Sequence, residues 1–353
     1  MRLSRRKKLL FGLVAMTMSF VAVIGLVFVA DLAVHHRAER SAGLNRYGYR
    51  GPVVRGKQPG ELRVVMLGGS TVFGYGVAWD ESIPAYLEAQ LRAKLHRQVT
   101  VVNLGFNNQG AFAFVPDLED FAYLDYDVIV LYEGYNDLPG DEGPNRAVYR
   151  RDSAIYRALG YYPILPLYLE EKARALRFGN VNAAYESLQK KDGGQVVFRP
   201  GLAQRTSAAA LEAVSSMTRA LDGQLEKTAA AAPPPVAATS ETGCQFPYVM
   251  YCGSVASAIR FGRAHGDGVV VGLQPHLSGA RSDELHARQR AMLTAMVGRV
   301  FGNDAQVALA DLSHLIDLKS AEVTFDGMHL KPEANATVAT ALVDPVLKVA
   351  SGK

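Results

Sequence analysis

Leu62-Arg63-Val64-Val65-Met66-Leu67-Gly68-Gly69-Ser70-Thr71 is the stretch on which the fold turns. A short run rich in Val and Leu, ending abruptly in two glycines, reads as a strand buried on both faces. The glycines allow a sharp turn that leaves the Ser70 hydroxyl exposed at the strand's end. Four more such runs follow: Val99–Leu104, Asp127–Tyr132, Gly268–Leu273 and Val307–Leu312. Between the first two, Asp80–Arg97 reads as an amphipathic helix. Ile83, Leu87, Leu91 and Leu95 recur every four residues, and Pro84 lies in the first turn. Strands alternating with helical segments predict βαβ units with right-handed crossovers, and so a parallel sheet in an α/β fold.

Working back toward the N-terminus, residues 31–60 read as a polar connector. Leu9–Ala30 before it carries no charge. At ~1.5 Å per residue this run crosses a hydrocarbon core of ~30 Å, and it is long for the apolar core of a cleaved leader. It is therefore expected to be a single-pass anchor, residues 9–30, in the inner (cytoplasmic) membrane. Arg2, Arg5, Arg6, Lys7 and Lys8 should hold residues 1–8 in the cytoplasm and send the body to the periplasmic or extracellular side. The chain of 353 residues has a net charge of +4, and removing those five cations leaves −1. The body is not basic, and no basic stripe with interleaved aromatics marks a nucleic-acid face. With 49% apolar and 20% charged residues, most of the chain is globular.

Working forward, about 130 residues separate the third and fourth runs, far more than a crossover needs. Residues about 140–250 are expected to be a largely helical insertion in a catalytic domain spanning 61–353. Its tyrosines (Tyr149, Tyr156, Tyr161, Tyr162, Tyr168 and Tyr185) either line a groove, pack the insertion or sit near the membrane interface. Ala229–Ala238, with Pro233-Pro234-Pro235 inside it, reads as a loop or stiff linker. Cys244 and Cys252 are spaced for a local disulfide or are two free thiols, and no cysteine or histidine cluster has metal spacing.

Polar residues follow the strands, where the loops of an open parallel sheet gather and bind ligands. A serine hydroxyl needs a base, and His329 can supply one near neutral pH. Asp326, three residues earlier, can orient the imidazole. The backbone N–H groups of Ser70 and Gly105 and the amide of Asn136 are expected to hold an oxyanion. Asn107, Tyr135 and His276 are further candidates for substrate contact.

The same residues resemble a known family. Gly68-Gly69-Ser70-Thr71, Gly105, Gly134-Tyr135-Asn136-Asp137 and Asp326-Gly327-Met328-His329 are similar to the sequence blocks of the SGNH (GDSL-like) hydrolases. The first block usually reads Gly-Asp-Ser, and the Gly69 variant, with Tyr47-Gly48-Tyr49-Arg50-Gly51-Pro52 before it, resembles a membrane-anchored bacterial subgroup. The resemblance covers about residues 44–140 and 265–345. It implies a three-layer α/β/α, flavodoxin-like sheet of about five parallel strands, a Ser70-His329-Asp326 serine esterase, and no metal or organic cofactor. With the compartment, it implies an acyl ester substrate, an O-acetyl ester of a cell-envelope glycan first. O-acyl transfer, lysophospholipase or thioesterase action on lipid, and a non-catalytic glycan-binding scaffold stay open alongside.

Overall fold

A computed structural model describes residues 4–38, 44–139, 143–178, 206–211, 213, 216, 239–277 and 283–351. The run Ala229–Ala238 and Tyr185 lie outside them. The chain forms two compact units. One joins residues 39–153 to 229–353, and the other joins 1–38 to 154–228.

The first unit holds a five-stranded parallel sheet. Its strands are β1 (Leu62–Gly68), β2 (Val99–Asn103), β3 (Val128–Tyr132), β4 (Gly268–Leu273) and β5 (Val307–Asp311), in the order β2-β1-β3-β4-β5. Each expected run is a strand. Register places Val64 beside Val101 on one side and Val128 on the other. Side chains alternate between faces with a period of two. Val64, Met66, Val128, Val130 and Val270 share a core with Ile83, Leu87 and Leu91 of one helix and Val338, Leu342 and Val346 of another, Pro332–Ala350. The opposite face is covered by the helix Val249–Ala264, whose Gly262 sits so close to Ile129 and Val269 that a Cβ would not fit. The result is the three-layer α/β/α arrangement.

The helix after β1 begins at Ile83, not Asp80, because Trp79–Glu81 first makes a 3-10 turn. Strand β2 lies at the sheet's edge, and its exposed backbone groups are partly taken. The Arg50 N–H donates to the Asn103 carbonyl at 3.1 Å, and the Val101 N–H donates to the Glu88 carboxylate at 2.8 Å. Pairing these groups internally removes a template for strand addition. The strand order reverses around β1: β2 lies on one side and β3 on the other. The loops leaving β1 and β3 therefore diverge and open a crevice at their C-terminal ends.

This unit retains the chain as far as Ser153, somewhat beyond residue 140, where the insertion is expected to start. The reason is a buried hub. Arg150 pairs with Asp117 of the helix Phe114–Asp120 at 3.0 Å, and both side chains are fully buried. The same guanidinium donates to the carbonyls of Gly48 (2.7 Å) and Leu104 (2.9 Å) and lies over the rings of Phe106 and Phe121. Tyr149 stacks on Phe106. Cys244 and Cys252 form a disulfide that ties the returning chain to the helix Val249–Ala264.

The second unit contains one long helix, Arg5–Ala38, with an apolar stretch of mean hydropathy 2.6 in which no residue is buried among the described residues. Length, composition and exposure are consistent with a single-pass membrane anchor. Past the apolar run the helix turns polar groups toward the insertion. The Asp31 carboxylate accepts the backbone N–H groups of Ile164 and Leu165 and the Tyr161 hydroxyl, and the His35 ring bonds the Tyr162 carbonyl at 2.8 Å. Asp31 thus caps the helix Leu165–Phe178, although it belongs to a different helix. Three of the expected tyrosines pack here. Tyr161 meets Phe28, and Tyr156 meets Tyr162. Asp31→Ala should cost this helix about 1–2 kcal/mol, the usual worth of a cap. Amide exchange at Ile164 and Leu165 should quicken by about 5–30-fold, and an unchanged rate would mean that the cap contributes nothing.

Candidate active site

The loops after β1, β2, β3 and β5 meet at the C-terminal edge of the sheet. Ser70 is the first residue of a single helical turn, Ser70–Phe73, so its N–H has no partner within that turn. Gly74, at φ +81°, ends the turn in the left-handed region that glycine adopts freely. Ser70 is 9% exposed, largely buried at the edge rather than standing free on the surface.

His329 approaches from the opposite loop. A one-residue bridge, Thr324 with Leu330, and a hydrogen bond from the Phe325 N–H to the His329 carbonyl (2.9 Å) close this loop on itself. Asp326 accepts the backbone N–H groups of Met328 (3.0 Å) and His329 (2.8 Å) through Oδ1. Its Oδ2 lies 2.6 Å from His329 Nδ1, and His329 Nε2 lies 2.8 Å from Ser70 Oγ. The three side chains form an unbroken hydrogen-bonded chain. Burial works to raise the Asp326 carboxyl, but the His329 side chain and the two N–H groups win and hold it below the usual carboxylate range. A charged Asp326 fixes the proton on Nδ1, which leaves Nε2 to accept from Ser70.

The Gly105 N–H, expected to face an oxyanion, donates here to Asn103 Oδ1 at 3.0 Å. Gly105 is instead a close-packing glycine: a Cβ there would press into Val72 and the Phe73 backbone. Gly110, later in the same loop, lies against the turn after β3, where a Cβ would meet the Asp137 carboxylate and the Asn145 amide. Among the described residues no acceptor takes the Gly110 N–H. Asn136 Nδ2 donates to the Gln109 carbonyl at 3.1 Å, which holds this peptide beside the amide.

Glu133 also enters the site, and the sequence reading gave it no role. Burial pushes its carboxyl up to about 7, against the N–H groups of Asn136, Gly134 and Gly69, which favour its charged form. Tyr75, equally unforeseen, lies with its ring 4.7 Å from that of His329. Phe325, half exposed, stands over Gly76.

The remaining candidates have other contacts. His276 Nε2 is engaged by Asp283 at 2.8 Å, and its ring stacks on His286. Tyr135 packs edge-on against that same His286 ring, 4.5 Å away. Asn107 Oδ1 is buried without a hydrogen-bond partner among the described residues. No cluster of His, Cys, Asp or Glu among the described residues has the makings of a metal site.

The GDSL-like Lipase/Acylhydrolase family matches over residues 66–336, well over half of the chain and every loop of this site. The chain belongs to that family. It is a GDSL-like hydrolase of the SGNH type, acting on ester bonds. No curated protein matches it. Similar solved structures include a psychrotrophic esterase from a Pseudoalteromonas species, with 8% identity and a TM-score of 0.44, covering 81% of this chain and 97% of that one. An acetyl xylan esterase has 12% identity and a TM-score of 0.42, covering 81% and 100%. A catalytic mutant of an acetylxylan esterase from Geobacillus stearothermophilus has 11% identity and a TM-score of 0.39, covering 81% and 94%.

Proposed function

We propose that this GDSL-like hydrolase is a membrane-anchored serine esterase that removes O-acyl groups, acetyl first, from a cell-envelope glycan outside the cytoplasm. The chain Ser70 Oγ–His329 Nε2, His329 Nδ1–Asp326 Oδ2 is the observation that carries the reading. In this scheme His329 takes the Ser70 proton while Oγ attacks the ester carbonyl carbon. The oxyanion is met by the Ser70 N–H, the Asn136 amide and, in place of Gly105, the Gly110 N–H. The alkoxide leaves with the proton from His329, and an acyl-Ser70 ester remains. Water then gives a proton to His329 and attacks the acyl carbon. Collapse of this second intermediate returns the proton to Ser70 and releases the acid.

Two observations support the location. The five cations before the apolar run favour a cytoplasmic N-terminus. The Cys244–Cys252 disulfide suits an oxidising compartment. The glycan is inferred from that compartment, where an anchored catalytic domain meets envelope sugars.

The test uses the full chain in detergent, treated with a fluorophosphonate and weighed intact. One adduct on the wild type and none on Ser70→Ala is the expected result, together with loss of acetyl-ester hydrolysis in the variant. Hydrolysis by Ser70→Ala at the wild-type rate would end the reading.

A further inference from the structure

Position 69 has no side chain, yet the backbone there is gripped by a carboxylate from another strand. The Gly69 N–H donates to Glu133 Oε2 at 2.5 Å. The other oxygen, Oε1, accepts the N–H groups of Gly134 (2.8 Å) and Asn136 (2.9 Å), and the Asn136 amide lies 3.4 Å from Oε2. Glu133 is only 4% exposed. One buried group therefore joins the turn that presents Ser70, after β1, to the turn that presents Asn136, after β3. These turns flank the crevice where the strand order reverses.

We infer that Glu133 is a positioning residue for the ester hydrolase reaction, setting the distance between the Ser70 nucleophile and the Asn136 oxyanion donor. The inference rests on the proposed roles of Ser70 and Asn136. A buried carboxylate is costly to keep unless its oxygens are filled, and here the donors that fill them are the backbone of the two turns. The grip must be anionic or at least acceptor-only. An amide at this place would aim its own N–H groups at donors and spread the turns while keeping the volume.

Glu133→Gln is expected to lower kcat by about 10–100-fold with KM within about twofold, since an error of about 1 Å in placement costs on that order. A Cβ built on Gly69 would land first on the Asn136 amide nitrogen and next on Glu133 Oε2, with the Gln109 carbonyl bordering the same space. Gly69→Ala is therefore expected to displace the oxyanion donor and lower kcat, and Glu133→Asp, which keeps a carboxylate, to exceed Glu133→Gln in kcat. Wild-type kcat in Glu133→Gln, or Glu133→Asp no faster than Glu133→Gln, would overturn the role. Ser70→Ala is assayed in parallel with the full chain in detergent. If it retains hydrolysis, the nucleophile reading fails first. If it is inactive and Glu133→Gln is unimpaired, only the role of Glu133 fails.

Discussion

His329→Gln is expected to lower kcat/KM for ester hydrolysis by about 10⁴-fold or more, the largest loss of any single change apart from Ser70 itself. Without the imidazole the Ser70 proton has no acceptor at 2.8 Å, and the hydroxyl reverts to a weak nucleophile. Asp326→Asn should cost about as much, roughly 10⁴-fold, by a different route. The amide keeps the size but donates toward Nδ1, which turns the tautomer the wrong way. The two variants separate in their acid stability. Asp326 has a lowered value in the folded protein, so its stabilising contribution is present above the ordinary carboxylate range and is lost as pH falls through the folded value. Thermal unfolding followed from neutral to acid pH should show a smaller loss in Asp326→Asn than in wild type. An equal loss would mean that the Asp326 contacts do not stabilise the fold. Kinetics with a small acetyl ester decide the first claim, and a His329→Gln enzyme within tenfold of wild type would refute it.

The second large effect concerns stability. Arg150→Met should cost about 3–5 kcal/mol, because it leaves the Asp117 carboxylate buried with no cation and only the Gln109 amide as a side-chain donor. Against a typical total of about 5–15 kcal/mol this is between roughly a fifth of the stability and all of it. Burial already pushes the Asp117 carboxyl up to about 6 beside its partner, a sign of how unfavourable the site is for charge. The prediction has an internal control. Replacing both residues by apolar ones, Arg150→Met with Asp117→Leu, removes the unpaired charge and should recover most of the loss. Urea unfolding of the sheet-bearing unit gives both numbers. A double variant as unstable as the single one would show that the bonds from Arg150 to the Gly48 and Leu104 carbonyls matter more than the ion pair.

Why some of this could be read from sequence and some could not is a matter of range. The five strands were legible because a strand covered on both faces must be apolar without interruption, and Val64, Val65 and Met66 already say so. Ser70, Asp326 and His329 were legible as candidates because parallel connections bring the ends of successive strands to one edge, whatever the intervening length. Gly105 and Gly110 could not be told apart. Both are glycines of one loop, and the difference lies in whether an Asn103 side chain has taken the N–H. Glu133 sat in plain view in Glu133-Gly134-Tyr135-Asn136. A carboxylate closing a buried apolar strand is itself a signal, but its three backbone partners are contributed by two different turns. The Asp117–Arg150 pair spans the boundary between what reads as core and what reads as insertion, so no local pattern announces it. Asp31 reads as the first charge after an apolar run, and only the fold shows whose helix it caps.

That cap has a consequence for how the molecule is made and handled. A secretion leader is ordinarily disposable: once the body has crossed, nothing in the body misses it. Here the C-terminal end of the long N-terminal helix supplies a ligand for the helix Leu165–Phe178, so cutting behind it would take away part of what that helix folds against. Retention of this helix is thereby favoured by the protein that holds on to its tip. A fragment trimmed at residue 38 for convenience would be a damaged protein rather than a soluble version of the same one.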